Sequence, residues 1–189
     1  MPRYFTALLV VRGLSPFEPA LAACPADSGG IFQVTTGETC TAVQSSYIGS
    51  TGNSAIVRAD NTGSTIQLTA PNVTVTNPTN GNGYALETTT DGIINVEGNL
   101  TAVTNGFNGR AIYMAGGTIN ISGNLVANHL VRAQGAGIEV SGGMLNVEGT
   151  TAINTAHADG LRNAGSANFV GDVTINAKDY AQGILNYST

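Results

Sequence analysis

Charge is what this chain has least of. Asp, Glu, Lys and Arg make up 10% of its residues, against about 25% in ordinary soluble domains. Lys178 is the only lysine, and the six arginines are scattered from Arg3 to Arg162. The balance of 7 bases against 12 acids gives a net charge of −5. Phosphate recognition needs clustered cations, so the composition argues against nucleic acid as a partner. No run approaches the roughly 20 apolar residues that cross a bilayer as a helix. Helical periodicity is missing too. No window repeats apolar residues at i, i+3, i+4 and i+7 over several turns, and a chain rich in Gly, Asn and Thr is a poor helix former. Two cysteines and two distant histidines do not make a tetrahedral ligand set, so no metal is expected. No cofactor is expected either: Gly135-Ala136-Gly137-Ile138-Glu139-Val140 has glycines at a suggestive spacing. That stretch precedes a strand pattern, however, and not a helix whose N-terminus could receive phosphate.

Asn, Thr and Gly stand where charge is missing, and they recur. The pattern Asn-(Val/Ile/Phe)-x-Gly-(Asn/Asp/Thr) begins at Asn95, Asn120, Asn146 and Asn168, at intervals of 25, 26 and 22 residues. Self-similarity at this period marks a solenoid, in which each copy is one unit stacked on the next. Each copy holds three short apolar stretches. One copy reads Ala111-Ile112, then Gly117-Thr118-Ile119, then Leu125-Val126-Ala127. All are rich in Val, Ile and Thr, alternate with period two, and are separated by Gly, Asn, Asp and Ser, which reads as strands and turns. Three strands in 22–28 residues is the length of one rung of a parallel β-helix. The sequence therefore predicts an all-β, right-handed parallel β-helix of about five to six rungs.

Rungs at the usual strand spacing of about 4.8 Å place equivalent side chains directly over one another. Asn95, Asn120, Asn146 and Asn168 then have two readings. They form an amide ladder, each side chain donating to the next, or they occupy left-handed turn positions, which Asn tolerates. Gly98, Gly123, Gly149 and Gly171 are assigned to corners that need positive φ. Upstream, Gln67 aligns with Asn95 and the asparagine is lost, as terminal repeats allow.

The first 23 residues resemble an export signal. Arg3 supplies positive charge, Tyr4–Val11 a short apolar run, and Ala20-Leu21-Ala22-Ala23 a small-residue cleavage site. Arg12, Pro16, Glu18 and Pro19 interrupt it, so a misplaced start codon is the competing explanation. Cys24 and Cys40 follow. In an oxidising compartment they close a loop worth about 3 kcal/mol. The alternative is lipidation of Cys24 within Leu21-Ala22-Ala23-Cys24, which leaves Cys40 free. The expected organisation is a signal-like segment at 1–23, a disulfide-stapled cap segment at 24–45, and repeats over 46–189. The last repeat opens with Tyr180-Ala181-Gln182-Gly183-Ile184-Leu185 and stops in mid-rung, as a truncated product or a fragment would.

Candidate chemistry is sparse. Glu139 and Arg162 hold equivalent positions in neighbouring copies and are expected to pair as a surface salt bridge, worth about 0–1 kcal/mol. Glu97 and Glu148 are equivalent but two rungs, about 10 Å, apart, with Ser122 between. That separation suits an inverting hydrolase, yet no further acids join them in the sequence. His157 lies beside Asp159, His129 is alone, and no Gly-x-Ser-x-Gly turn supplies a nucleophile. Asp27-Ser28-Gly29-Gly30 is the nearest stretch and falls in the cap segment. The Asn-x-Ser/Thr matches at Asn72, Asn99 and Asn120 are what chance provides in a chain this rich in Asn and Thr.

Cys-Pro-Ala-Asp-Ser-Gly-Gly at 24–30, Gly-Glu-Thr-Cys at 37–40, and rungs such as Gly135-Ala136-Gly137-Ile138-x-Val140-x-Gly142-Gly143-x-Leu145-Asn146-Val147-x-Gly149 carry a family likeness. Over residues 20–189 the chain resembles the N-terminal part of the passenger region of a bacterial autotransporter (type V secretion). The resemblance implies export, display at the cell surface or release, and an outer-membrane β-barrel translocator elsewhere in the full-length protein. This chain has no barrel-like series of alternating strands with aromatic girdles. Many such passengers are adhesins, and motifs of the enzymatic branches are missing here. The expected function is adhesion or display without catalysis. The partner would be a host-cell, matrix or bacterial surface ligand, met through stacked polar columns and loops such as Asn105–Asn108 and Asn128–Gln134. The alternative is a β-helical polysaccharide-active enzyme, and a third possibility is a truncated product with no activity.

Overall fold

Short β-branched stretches, too weak to stand alone, gain their partners by stacking. The computed structural model describes residues 24–50, 52–131, 134–179 and 181–187. The signal-like segment 1–23 lies outside them. Among the described residues there are strands and no helix, in three parallel sheets. The first sheet comprises Phe32–Val34, Ala55–Ala59, Tyr84–Thr88, Arg110–Met114, Ala136–Val140, Asp159–Asn163 and Ile184–Asn186. The second comprises Thr39–Ala42, Thr65–Leu68, Ile93–Val96, Thr118–Ile121, Met144–Val147 and Ser166–Phe169. The third comprises Ser46–Ile48, Asn72–Asn77, Asn99–Thr104, Leu125–His129, Thr151–Thr155 and Val173–Ala177. Successive strands in the chain go to successive sheets, so every pairing joins one rung to the next. The chain is a parallel β-solenoid of about six turns.

Register is strict, because a slip of one residue would turn the apolar face outward. In the first sheet Val57, Leu86, Ile112, Ile138 and Leu161 are mutual partners. In the second, Ile66, Ile94, Ile119 and Leu145 stack, and beside them Leu68, Val96, Ile121 and Val147. In the third, Val75, Ala102, Ala127 and Ile153 follow the same rule. Except for Leu161, which keeps a trace of exposure, these side chains are buried almost completely. They form one narrow apolar core running the length of the coil. Burial of each Val, Leu or Ile contributes about 1.5–3 kcal/mol.

Two sequence-based assignments change. The repeats begin before residue 46, because Phe32–Val34, Thr39–Ala42 and Ser46–Ile48 pair in parallel with the following rung. The disulfide-bonded segment is thus itself the first rung, its repeat obscured because Thr41 stands where later rungs carry Gln67 and Asn95. The second change concerns the corner glycines. Gly98, Gly123, Gly149 and Gly171 are not in the left-handed region, whereas Gly117 and Gly143, at φ 73° and 77°, are. The former are needed for contact instead. A Cβ on Gly123 would sit 2.6 Å from the carbonyl carbon of Gly98, and one on Gly149 2.6 Å from that of Gly123. Backbone stacks on backbone at this corner, and any side chain would force the rungs apart.

Candidate functional site

The alternation that buries Ile94 and Val96 turns Asn95 outward. Asn95, Asn120, Asn146 and Asn168 are in register on the outer face of the second sheet. Asn120 Nδ2 donates to Asn95 Oδ1 and Asn146 Nδ2 to Asn120 Oδ1, both at 2.8 Å. The ladder is therefore neither inward nor in a turn, and none of the four asparagines has positive φ. Among the described residues no side-chain hydrogen bond joins Asn168 to Asn146, and Asn168 is exposed.

Two further amide files escaped the sequence reading. On the third sheet, Asn154 donates to Asn128 at 2.9 Å and Asn176 to Asn154 at 2.8 Å. At the corner between the second and third sheets, Asn99 Nδ2 donates to Asn72 Oδ1, and the backbone N–H of Asn124 to Asn99 Oδ1. The N–H of Thr150 continues the file onto Asn124 Oδ1. The fifth position of the repeat motif (Asn99, Asn124, Thr150) was the available signal for this corner file. Each added bond is worth about 0.5–1.5 kcal/mol net.

The first ladder floors a shallow groove of about 490 Å³. Glu97, Ser122 and Glu148 line it one position beyond the ladder's neighbouring strand residues, together with Val170. Glu97 and Glu148 are exposed, and among the described residues neither carboxylate has an ion-pair or hydrogen-bond partner. A second groove, of about 520 Å³, follows the third sheet and is lined by Leu130, Asn154, Asn176 and Lys178 among others.

The first sheet carries the paired charge. Arg110 meets Glu139 at 2.9 Å, and Arg162 meets Asp159 at 2.8 Å and Glu139 at 3.5 Å. The expected Glu139–Arg162 contact is present, but Arg110 reaches Glu139 more closely from the adjacent file. Arg110 also lies 5.8 and 5.7 Å from the centroids of the Tyr84 and Tyr113 rings, which pack 4.8 Å apart. Such a cation–π arrangement adds about 0.5–1 kcal/mol at an exposed site. Arg58 bridges Asp60 at 2.9 Å and Glu87 at 3.4 Å. Glu87 is only 7% exposed, and burial raises its pKa above the ordinary carboxylate value. Asp60 is held below that value, chiefly by the Thr89 hydroxyl and then by Arg58.

An inward polar file runs along the last position of the third-sheet strands: Asn77, Thr104, His129 and Thr155. All four are buried. Each bonds a carbonyl in, or at the edge of, a turn that leads from the third sheet to the first. Asn77 donates to Tyr84 O at 3.0 Å, Thr104 to Gly83 O at 2.8 Å, and Thr155 to Ala158 O. His129 Nε2 lies 2.9 Å from Gly106 O. Burial pushes the imidazole below its ordinary pKa, favouring the neutral ring.

Cys24 and Cys40 are joined in a disulfide, the first of the two arrangements the sequence allows. Asp27 fastens the same end. It accepts from Tyr47 Oη at 3.0 Å and from the Val43 N–H at 2.5 Å. Asp27-Ser28-Gly29-Gly30 is thus part of a clamp. His157 meets Asp179 at 2.8 Å, and its sequence neighbour Asp159 is engaged by Arg162, so the two do not form a catalytic pair. No family model matches this chain, and no curated protein or solved structure matches it.

Proposed function

We propose that this chain is an adhesive display segment of an exported, autotransporter-like passenger, with its working surface on the outside of the solenoid. The observation that carries this reading is the outward amide ladder of Asn95, Asn120 and Asn146, flooring an open groove that runs across rungs. A stack of in-register rungs repeats the same polar groups at a fixed spacing, which suits a long multipoint contact rather than a single reacting centre. The Cys24–Cys40 bond supports an oxidising destination. The sequence resemblance supports a surface location and a separate outer-membrane β-barrel translocator. The partner is a ligand on host cells, matrix or other bacteria.

One observation favours the second reading, a polysaccharide-active enzyme: Glu97 and Glu148 line the same groove. The two are separated by one assay pair. Purified full-length chain is applied to epithelial monolayers, matrix proteins and bacterial cells, and to uronate and neutral polysaccharides. Saturable retention on a surface without release of reducing or unsaturated ends is the expected result. Release of such ends overturns the adhesive reading in favour of the enzyme, and failure to be retained on every surface overturns it outright.

A further inference from the structure

Charge is unevenly distributed over the outer surface, paired on the first sheet and unpaired in the groove over the second. Arg58, Arg110 and Arg162 all lie on the first sheet, each against a carboxylate, and Lys178 lines the other groove. The groove over the second-sheet ladder has two carboxylates, Glu97 and Glu148, with no cation lining it among the described residues. Both carboxylates are exposed, and among the described residues neither has a side-chain partner to account for it. A concave surface of one sign attracts ligands of the other.

Geometry narrows the class of polycation. The ladder asparagines repeat once per rung, about every 4.8 Å. Asn120 uses one Nδ2 hydrogen and one Oδ1 lone pair within the ladder, Asn95 only an Oδ1 lone pair and Asn146 only an Nδ2 hydrogen, so each keeps at least one donor and one acceptor to face the groove. An extended peptide presents side chains of one face every 6.6–7 Å or so, at about 3.3 Å per residue, and drifts out of step with the rungs. An extended β-linked pyranose chain repeats close to the rung spacing. It offers hydroxyls that both donate and accept at every sugar. Glu97 and Glu148 lie two rungs apart with Ser122 between them, so their carboxylates fall opposite alternate sugars.

We propose that this groove binds a linear β-linked amino-sugar polymer carrying free amines, the amide ladder taking the hydroxyls and Glu97 and Glu148 the ammonium groups. The proposal rests on the adhesive reading above and names the ligand class of that same surface.

Binding of the full chain is measured by calorimetry against the hexamer of β-1,4-linked glucosamine, its fully N-acetylated counterpart, and hexalysine. The glucosamine hexamer is expected to bind saturably, and the other two at least about tenfold more weakly. Glu97→Gln with Glu148→Gln is expected to reduce glucosamine binding about tenfold, that is by about 1.4 kcal/mol over the two exposed charge pairs together. Glu38→Gln, which removes an acid outside the groove, leaves it unchanged, and matched thermal unfolding shows that all variants remain folded. Equal binding of hexalysine, equal binding of the acetylated hexamer, or indifference to the double substitution overturns the proposal. If no hexamer binds but the chain is still retained on cell surfaces, the amino-sugar assignment fails and adhesion stands. If both are lost, the adhesive reading fails with it.

Discussion

At the residue scale the most exacting position is His129. It occupies an inward site where the rungs on either side place Thr104 and Thr155, and it is wholly buried. A neutral imidazole fits there by bonding the Gly106 carbonyl; an imidazolium would carry charge into the core. Because burial lowers the folded-state pKa below 6.5, the unfolded chain binds a proton more readily than the folded one. The stabilising contribution is therefore complete above about pH 6.5 and is lost as pH falls below that value toward the folded pKa. Glu87 acts in the opposite sense. Its raised pKa means that the folded state holds a proton where the unfolded chain has lost it, so its contribution grows as pH falls through the folded value. His129→Thr supplies the hydroxyl of the neighbouring rungs and removes the titration. Its midpoint at pH 7.5 is expected to drop, since the smaller side chain leaves a void. Between pH 7.5 and 5.5, however, it should lose less stability than the parent protein. For a chain of this size the difference appears as about 2–4 °C per kcal/mol. Glu87 contributes equally to both proteins, so a variant with the parent's pH slope in thermal unfolding would remove His129 from this role.

At the scale of the element, the outward ladder makes a testable distinction between a bonded file and mere asparagine-rich composition. Asn120 both donates to Asn95 and accepts from Asn146. Asn168 is in register but has no such bond among the described residues. Asn120→Ala should cost about 1–2 kcal/mol, two hydrogen bonds at roughly 0.5–1.5 kcal/mol each with solvent compensating part of the loss. Asn168→Ala should stay within about 0.5 kcal/mol of the parent, as surface changes do. Equal costs in chemical denaturation would show that the ladder bonds contribute nothing specific. How much of this was legible beforehand follows from parity. The period of the motif and the alternation of Ile, Val and Thr were enough to find the three strands of each rung, and aligning Gln67 with Asn95 gave the correct register. Side-chain direction was harder. Parity places Asn95 opposite Ile94 and Val96, hence outward, but the repeat's regularity is the same whether Asn faces out, faces in or turns a corner. The file of Asn77, Thr104, His129 and Thr155 was missed because polar residues at a strand's end look like the start of a loop. Counting two residues on from Val75, Ala102, Ala127 and Ile153 would have turned them inward. The corner glycines were misread because positive φ is a property of one chain, whereas their constraint comes from the rung below.

Across the whole molecule the described rungs stack one on the next, and each shares the core only with its neighbours. Stability in such a coil is close to a sum of rung and interface contributions, so a local lesion should remain local. The first rung is held by Cys24–Cys40, by the Asp27 contacts to Tyr47 and Val43, and by the Gly29 carbonyl, which accepts from the Ile48 N–H at 2.8 Å. Opening the disulfide with Cys24→Ser and Cys40→Ser frees a loop of the size worth about 3 kcal/mol on the chain-entropy account. In a globular domain that loss lowers the protection of every buried amide together. In this coil it should fall on Phe32–Val34, Thr39–Ala42 and Ser46–Ile48, whose strand edges on the cap side depend on that clamp. The amides of Arg110–Met114, Thr118–Ile121 and Leu125–His129, four rungs into the stack, should keep their parent exchange rates. Hydrogen exchange read by mass spectrometry at peptide resolution separates the two behaviours. A graded loss that fades along the axis is expected of nearest-neighbour coupling, and a uniform loss from one end to the other would mean that the rungs unfold as a single cooperative unit.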